Sequence, residues 1–555
     1  MVRDSIKDAL ARAAVSLGVE MSSEQVPLEH TDDFSHGDYA SGIALAFAKQ
    51  AGMPPRALAE KFVATMGEID AVAEIEIAGP GFINFHLASD TLARTIEEAN
   101  KTDMWGANAE EAGKIIMMEY TDPNPFKEFH IGHLVPNAIG ESISRLFQFS
   151  GAHVLRANYQ GDVGLHVAKA LFILMEKGIS DPTLADLSAA YPEGSTRYDN
   201  DAEAKQKIDE LNKTIYEKSD AAVNALYEKG RTISLEHFEE IYKILGTKFD
   251  HYFFESATGP VGVEIVRAHP DIFVESEGAT IFRGEDHGLH TRVFLTKAGL
   301  PTYEAKELGL AKLKEDAADF DRTITITANE QKDYFDVAMK AAELALPELS
   351  GKLTFRTHGL LRFAEGKMSS RTGNIIRGED LIADLAEAAK ERASESRAEN
   401  ADVLAQQIAV AAIKYQILRQ LSHKDIIFDR DRALSLDGDS GPYLQYAHAR
   451  SHAVVAKAQA EGVEIAVAHN AEPEPLARLL HRFPEIVAYA TEELEPHLLT
   501  TYLLQLAGEF NSWYARVPIV DGTEAAPHKV ALADAVRRTL KNGLWLLGIP
   551  APEKM

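Results

Sequence analysis

The chain has 555 residues, of which 45% are hydrophobic, as is typical of a globular protein with room for roughly three or four domains. It contains no cysteine, which excludes disulfides and thiolate metal sites. It has neither a run of about eighteen apolar residues nor the apolar core of a signal peptide, so we expect a cytoplasmic protein without a membrane segment. The net charge of −28 argues against indiscriminate binding to nucleic acid.

The first part of the chain predicts a small domain followed by a strand. Residues 1–108 alternate amphipathic helices with a strand-like run at 74–77, which indicates an α+β unit. A continuous apolar run at 114–120 predicts a buried strand of a parallel sheet. The prolines at 123 and 125 continue neither a strand nor a helix, so the strand should stop at Tyr120.

A helix is predicted next, because apolar residues recur at helical spacing from about Gly132. His130 and His133 would lie near its start, on the same side of the first turn. Exposed amides and the helix dipole attract phosphate there, and the two imidazoles add hydrogen-bond donors. Gly132 leaves room for a purine or a ribose. The pattern therefore predicts an ATP site, although a His-x-Gly-His motif could equally serve only to cap a helix.

The remaining elements indicate a divided sheet domain and a helical domain. Residues from about 175 to about 260 are polar and helix-rich, which fits an insertion between two halves of a parallel sheet. Residues 281–326 and 353–355 would restore the sheet. Two cations and two hydroxyls then fall within residues 367–371, between glycines that permit turns. This loop could close on pyrophosphate, or it could be a solvated basic turn. From about 430 to the end the pattern is helical.

The two motifs together resemble the HIGH and KMSKS motifs of class I aminoacyl-tRNA synthetases. Residues 119–133 resemble the arginyl-tRNA synthetase version, in which a glutamate, a Pro-Asn pair and a lysine precede the HIGH motif. Similar segments between residues 36 and 550 extend the resemblance over nearly the whole chain. It implies a multidomain α/β protein with a tRNA-elbow-binding α+β domain at 1–108, a Rossmann-type parallel-sheet catalytic domain with a helical insertion at 109–429, and an all-α anticodon-binding domain at 430–555.

The resemblance also implies a reaction and the residues that perform it. We expect ATP-dependent activation of L-arginine and its transfer to the 3′ end of tRNA(Arg). We also expect a monomer that has no metal site of its own, so that Mg²⁺ arrives bound to ATP. The residues that the family's motifs place in catalysis are Lys127, His130, His133, Lys367 and Arg371. The residues placed at ATP are His130, Gly132, His133, Lys367, Met368, Ser369 and Ser370. The residues placed at arginine are Glu119, Asn124, Tyr303, Glu307 and Gln331.

The arginine pocket has a physical requirement that two of these residues could meet. A planar guanidinium needs carboxylates that accept in a forked geometry, so Glu119 and Glu307 are the expected partners, and Asn124 would hold the α-amino group. Taken singly, Glu119 could instead form a surface ion pair, Tyr303 could be a core aromatic, and Gln331 could be a solvated turn residue.

Two positions depart from the family pattern. Glu307 stands where aspartate is usual, so its carboxylate lies one methylene further from the backbone. Ser370 stands where a second lysine is usual, and Lys127 is expected to supply that charge. The rival functions are another class I synthetase, for cysteine, valine or glutamate, a small-molecule nucleotidyltransferase, and a non-catalytic tRNA-binding paralogue. The long helical domain argues against the nucleotidyltransferase. The intact Lys127, His130, His133 and Lys367 argue against the non-catalytic paralogue.

Overall fold

The computed structural model describes residues 2–364, 376–392 and 400–555. The chain divides into two compact units. The first comprises Met1–Trp105, Arg450–Pro484 and Gln505–Thr539, and the second comprises Gly106–Ala449, Glu485–Leu504 and Leu540–Met555. The predicted second motif, residues 367–371, lies outside the described residues. Within the described ranges, no helix combines the length and the apolar character that crossing a bilayer requires.

The N-terminal part of the first unit is a four-stranded antiparallel sheet with helices. Its elements in chain order are α1 (Val2–Ser16), β1 (Glu29–His30), β2 (Tyr39–Ser41), α2 (Ile43–Ala51), α3 (Pro55–Met66), β3 (Val72–Ala78), β4 (Phe82–Leu87) and α4 (Ser89–Lys101), and the strand order is β1-β2-β4-β3. Asp38 is buried and accepts from the backbone N–H of Leu87 at 2.8 Å. Asp38 also pairs with Arg478 at 2.6 Å, which ties the sheet to a C-terminal helix of the same unit.

The second unit begins with the strands and helices of an α/β domain. The first group is β5 (Ile115–Glu119), α5 (Ile131–Phe149), β6 (His153–Gln160), α6 (Leu165–Glu176), α7 (Leu184–Asn200), α8 (Ala202–Glu217), α9 (Ala221–Leu245) and β7 (His251–Phe254). The second group is α10 (Glu255–Ala268), β8 (Phe273–Ser276), β9 (Ala279–Phe282), β10 (Arg292–Leu295), α11 (Tyr303–Ala317), β11 (Arg322–Ala328), α12 (Lys332–Ala345) and β12 (Leu353–His358).

Five of these strands form a parallel sheet in the order β12-β11-β5-β6-β7. The buried aliphatic and methionine side chains of β5 explain this position, because a central parallel strand is covered on both faces. The chain adds β6 and β7 on one side of β5 and β11 and β12 on the other. The strand order therefore reverses between β5 and β11, and ligands of open α/β sheets bind at the carboxyl ends of strands at such a point.

The structure corrects two details of the predicted sheet domain. Strand β7 lies inside the range 175–260 that we assigned to the insertion, yet it pairs with β6, so the helical part ends with α9 at Leu245. Residues 281 and 282 do not restore the parallel sheet, because they belong to β9 of a separate antiparallel sheet in the order β10-β9-β8. The parallel sheet is restored by β11 and β12.

The chain after β12 is mainly helical, as predicted. Its elements are β13 (Leu361–Phe363), α13 (Gly378–Arg392), α14 (Ala401–Leu418), β14 (Ile426–Phe428), α15 (Arg430–Ala433), α16 (Gly441–Ala460), α17 (Pro475–Glu493), α18 (His497–Arg516) and α19 (Ala526–Leu546). Helices α16 to α19 each contribute residues to both units. Within the second unit, the buried Lys414 of α14 donates to the carbonyls of Leu245 at 2.6 Å and Gly548 at 2.9 Å.

Candidate active site

The loop between β5 and α5 has an unusual backbone conformation. Thr121, Asp122 and Phe126 have φ angles of 82°, 48° and 66°, in the left-handed region that L side chains rarely adopt. Asn137 donates to the Thr121 hydroxyl at 3.0 Å, and the backbone N–H of Phe126 donates to the Ser234 hydroxyl at 3.0 Å. These contacts fix a strained loop at the carboxyl end of β5, where a ligand is expected to bind.

Asn124 is fixed in the same loop. Its carboxamide oxygen accepts from the backbone N–H of Gly161 at 2.9 Å. A Cβ at Gly161 would lie 2.5 Å from that oxygen, so this contact requires glycine at position 161. The oxygen has a second lone pair, with which it could accept from an ammonium group. The predicted contact of Asn124 with the α-amino group of a substrate stays a prediction that this geometry permits.

The two histidines of the first motif lie together at the start of α5. His130 caps the helix, and the ring centroids of His130 and His133 are 3.8 Å apart. The backbone N–H of Gly132 donates to Nδ1 of His130 at 3.1 Å, and the backbone N–H of His130 donates to Nδ1 of His133 at 3.1 Å. A Cβ at Gly132 would lie 2.7 Å from the His130 ring. Gly132 is therefore needed to keep this ring in place.

The protonation of these rings follows from their surroundings. Burial and the charge of Lys127 lower the pKa of His130, and burial with the charges of His130 and Lys127 holds the pKa of His133 well below its usual value. Both rings are therefore neutral near pH 7. Because each Nδ1 accepts a backbone hydrogen bond, the proton of each neutral ring lies on Nε2. Each ring thus presents an N–H donor at a helix N-terminus.

Lys127 lies beside the two histidines. Its Nζ is 5.3 Å from the centroid of the Tyr191 ring, which belongs to helix α7 of the insertion. Burial lowers the pKa of Lys127, and the negative charge of Glu255 opposes this change. The insertion therefore helps to position a cation next to the paired imidazoles.

The chain returns to the first motif directly after the segment 365–375. The backbone N–H of Ile131 donates to the carbonyl of Ile376 at 3.1 Å, and the backbone N–H of Gly378 donates to the carbonyl of Phe129 at 2.8 Å. His130 and Arg377 form an antiparallel bridge between these bonds. Residues 376–378, which follow the predicted second motif, are thus hydrogen-bonded to residues 129–131 at the first motif.

A group of buried and half-buried acidic side chains, here called the acidic group, lies at the carboxyl end of β5. Glu119 is 2% exposed and forms an ion pair with Lys314 of α11, which is also buried. Glu307, two helical turns before Lys314, lines the same cavity as Lys314 and Thr325. The Lys314 ammonium reaches the Thr325 hydroxyl at 3.5 Å. The alternative that Glu119 forms a surface ion pair is wrong, because its ion pair with Lys314 lies in the interior.

Three carboxyl groups share this environment with one lysine. Burial and the charge of Glu119 raise the pKa of Glu307 to about 8, and Lys314 opposes this rise. Burial and the charge of Glu119 also raise the pKa of Asp122 well above its usual value. The group therefore holds more acidic side chains than Lys314 can neutralise, which is an environment that would favour a further cation.

The other two residues predicted at arginine lie at the edge of this group. Tyr303 is 70% exposed, and its backbone carbonyl accepts from the Tyr334 hydroxyl at 3.0 Å. Gln331 is exposed directly after β11, and its side-chain oxygen accepts from the Thr327 hydroxyl. Tyr303 is thus not a core aromatic, and its role and that of Gln331 remain predictions.

Sequence reasoning missed three residues of the acidic group. Lys314 lies seven residues after Glu307 in a predicted helical stretch, so helical periodicity could have placed both on one face. Tyr334 follows Gln331 by three residues and could have been found in the same way. Asp122 lies between two residues that were named, but nothing in its local pattern indicated that its side chain would join Glu119.

The comparisons with known proteins agree with this architecture. Residues 95–430, more than half of the chain, match the family described as "tRNA synthetases class I (R), catalytic domain". Residues 1–87 match the "Arginyl tRNA synthetase N terminal domain", and residues 444–555 match the "DALR anticodon binding domain". The chain belongs to the arginyl-tRNA synthetase family. As a member, it is a class I enzyme, and class I synthetases use ATP.

Relatives within the arginyl-tRNA synthetase family match over the full length. An arginine–tRNA ligase of Stutzerimonas stutzeri is 32% identical over 100% of both chains, and one of Pseudomonas fluorescens is 31% identical over 100% of both. The solved Thermus thermophilus arginyl-tRNA synthetase superposes with a TM-score of 0.84 at 26% identity, covering 100% of both chains. The Plasmodium falciparum arginyl-tRNA synthetase, at 19% identity and a TM-score of 0.80, shares the fold over 99% of this chain and 98% of its own.

Membership of the arginyl-tRNA synthetase family decides between most of the rival functions. The synthetases for cysteine, valine and glutamate and the small-molecule nucleotidyltransferases are set aside, because all three family matches describe arginyl-tRNA synthetases or their anticodon-binding domain. The multidomain α/β fold, with its Rossmann-type parallel sheet, is confirmed.

Proposed function

We propose that this chain is an arginine–tRNA ligase that activates L-arginine with ATP and transfers it to the 3′ end of tRNA(Arg). The observation that carries this proposal is the acidic group at the end of β5, next to the loop that leads to the paired imidazoles of α5. One link between the two is Glu255, whose charge acts both on Lys127 beside the imidazoles and on Glu307 in the acidic group.

The acidic group supports a substrate with a cationic side chain. Glu119, Asp122 and Glu307 carry three acidic groups, whereas Lys314 supplies one positive charge. A guanidinium is planar, always charged and able to donate to two carboxylates at once. A neutral side chain could not stabilise the ionised forms of these carboxyl groups, whereas a guanidinium could.

The start of α5 supports the activation step. The arginine carboxylate would attack the α-phosphate of ATP in line, the bond to pyrophosphate would break, and arginyl adenylate would form. Neutral His130 and His133 would donate from Nε2 to oxygens on the α-phosphate, where negative charge increases in the transition state. Gly132 keeps the helix start accessible, and the helix dipole favours the anion.

We assign the β- and γ-phosphates of ATP to the cations Lys127, Lys367 and Arg371. Met368, Ser369 and Ser370 of the second motif stay predicted ATP-binding residues. We propose that Mg²⁺ binds through the phosphates of ATP, where it would neutralise charge on the leaving group.

The transfer step requires a tRNA. The mixed anhydride would be attacked by the terminal adenosine of tRNA, through its 2′-hydroxyl if the class I pattern holds, and AMP would leave. The match of residues 444–555 to an anticodon-binding domain supports this partner. We assign residues 1–108 to the tRNA elbow and residues 430–555 to the anticodon.

Exchange of labelled pyrophosphate into ATP tests this function. The assay is run with each of the twenty amino acids, with and without tRNA. We expect exchange with arginine alone, and only when tRNA is present. Exchange with a different amino acid would refute the proposed specificity. Absence of exchange with every amino acid would favour the non-catalytic paralogue.

A further inference from the structure

Asp122 occupies a strained position that directs its side chain toward β6. Its φ angle is 48°, and that of the preceding Thr121 is 82°. The Asp122 carboxylate accepts from the backbone N–H of Tyr159 at 2.7 Å. Non-glycine residues with positive φ cost free energy and persist where the surrounding structure over-determines them, often in functional sites. Two such residues in succession indicate that the direction of this side chain matters.

The groups that face Asp122 come from four elements and are mostly acidic. They are Glu119 at the end of β5, Glu307 and Lys314 on α11, and the Tyr242 hydroxyl on α9, while Tyr159 on β6 contributes its backbone N–H. Glu255, which acts on Glu307, is itself paired with Lys306 at 2.7 Å. Among the groups named here as facing Asp122, Lys314 is thus the one cation, against the three carboxyl groups of Glu119, Asp122 and Glu307. Lys314 is itself paired with Glu119.

The geometry points to Asp122 as a third acidic residue of the amino-acid pocket, where it and Glu307 are available to accept from the cationic side chain of the substrate while Glu119 holds Lys314. Arginine selection would then depend on Asp122 as well as on the glutamates. This inference deepens the proposed function and rests on it. Glu307 on α11 would share its task with a carboxylate from the loop after β5.

The same arrangement couples substrate binding to the release of a proton. Burial and neighbouring carboxylates raise the pKa of Asp122 and raise that of Glu307 to about 8, so the empty pocket retains a proton near neutral pH. A bound guanidinium favours the ionised carboxylates, so one carboxyl loses its proton to solvent as the cation binds. Because the pKa of Glu307 is raised to about 8, the ionised form that a guanidinium favours increases as pH rises through that value. Affinity for arginine should therefore rise between about pH 7 and pH 9.

Asp122→Asn separates the charge from the structural role of this residue. Asparagine tolerates positive φ and can still accept from the backbone N–H of Tyr159. The matched control is Asp250→Asn, because Asp250 is exposed and accepts from the backbone N–H of Arg156, in the middle of β6, at 2.9 Å. Both variants therefore replace an aspartate that accepts from the same strand, but only one removes a charge from the pocket.

The measurement is tRNA-supported pyrophosphate exchange with the full chain, as a function of arginine, ATP and pH. We expect D122N to raise KM for arginine by about tenfold to a hundredfold, with little change in KM for ATP, and D250N to behave as the parent chain. The rise of kcat/KM for arginine between about pH 7 and pH 9 should be weaker in D122N. An arginine KM and a pH profile equal to those of D250N would overturn the inference.

Citrulline provides a second readout, because it has the shape of arginine without the charge. The ratio of kcat/KM for arginine to that for citrulline should fall in D122N by the same factor by which its arginine KM rises. An unchanged ratio would show that Asp122 only shapes the loop. If D122N does not fold, Asp122→Ser carries the same comparison. Failure of the proposed function would appear differently, as an absence of arginine-dependent exchange in the parent chain.

Discussion

Replacement of Glu141 by glutamine should destabilise the centre of the second unit. Glu141 is buried on α5 and accepts hydrogen bonds from four side chains. These are the Tyr120 hydroxyl at 2.6 Å, the Thr247 hydroxyl at 2.7 Å, and the Nε atoms of Arg145 at 2.6 Å and Arg156 at 3.0 Å. Because Tyr120 directly follows Glu119, this carboxylate also supports the strand end that carries the acidic pocket.

The magnitude follows from the electrostatics of the site. Burial alone would raise the pKa of Glu141, but the charges of Arg145 and Arg156 outweigh burial and lower the pKa from 4.5 to about 2. At ~1.4 kcal/mol for each tenfold change in proton affinity, the ionised carboxylate contributes about 3 kcal/mol to stability. Because the pKa is lowered in the folded state, this contribution is present above about pH 4.5 and is lost as pH falls toward 2.

Native-state hydrogen exchange followed by mass spectrometry measures the opening free energy of β5 and β6 directly. We expect Glu141→Gln to reduce this free energy by about 3 kcal/mol at pH 7 and by much less near pH 3. Glu203→Gln is the control, since Glu203 forms an exposed pair with Lys207 on α8 and should have almost no effect. A loss below about 1 kcal/mol at pH 7, or one independent of pH, would refute the reasoning.

The remaining predictions concern catalysis and the first unit. Lys127→Ala should lower kcat for exchange by about a hundredfold while changing KM for ATP far less, and Lys205→Ala, an exposed cation on the insertion, serves as the control. Equal losses in kcat and ATP affinity would count against a transition-state role. His133→Gln, which keeps an N–H donor, should retain more exchange activity than His133→Ala between about pH 6 and pH 8; equal activity would show that donation is not the role. Arg478→Ala leaves the buried Asp38 unpaired, so limited proteolysis should cut the N-terminal domain sooner, and unchanged protection would contradict this.

The elements that sequence predicted well are those whose signals are local. The apolar run of β5 and the prolines after it fixed the strand and its end, and periodicity placed His130 and His133 in the first turn of α5. Strand β7 was missed because four residues between a long helix and α10 give too short a pattern. Residues 281 and 282 were given to the wrong sheet, because an apolar run indicates a strand but does not identify its partner.

The acidic pocket shows where such reasoning ends. Glu119 and Glu307 were found by their motif positions, but the raised pKa values of Glu307 and Asp122 depend on burial and on the charge of Glu119, and the ion pair of Glu119 with Lys314 joins two different elements. These groups meet only when β5 and α11 pack together, and their direction depends on the strained loop after β5. The charge balance of such a group of side chains therefore depends on the tertiary structure. Neither helical nor strand periodicity in the sequence can predict it.

Aminoacylation of tRNA tests most directly the claim that the chain attaches arginine, and no other amino acid, to tRNA. Unfractionated tRNA and ATP are incubated with the chain and each of the twenty labelled amino acids, and the label attached to the 3′-terminal adenosine of tRNA is counted. We predict that arginine alone is attached and that citrulline is not. Attachment of any other amino acid, or arginine-dependent exchange without any attachment to tRNA, would contradict the claim.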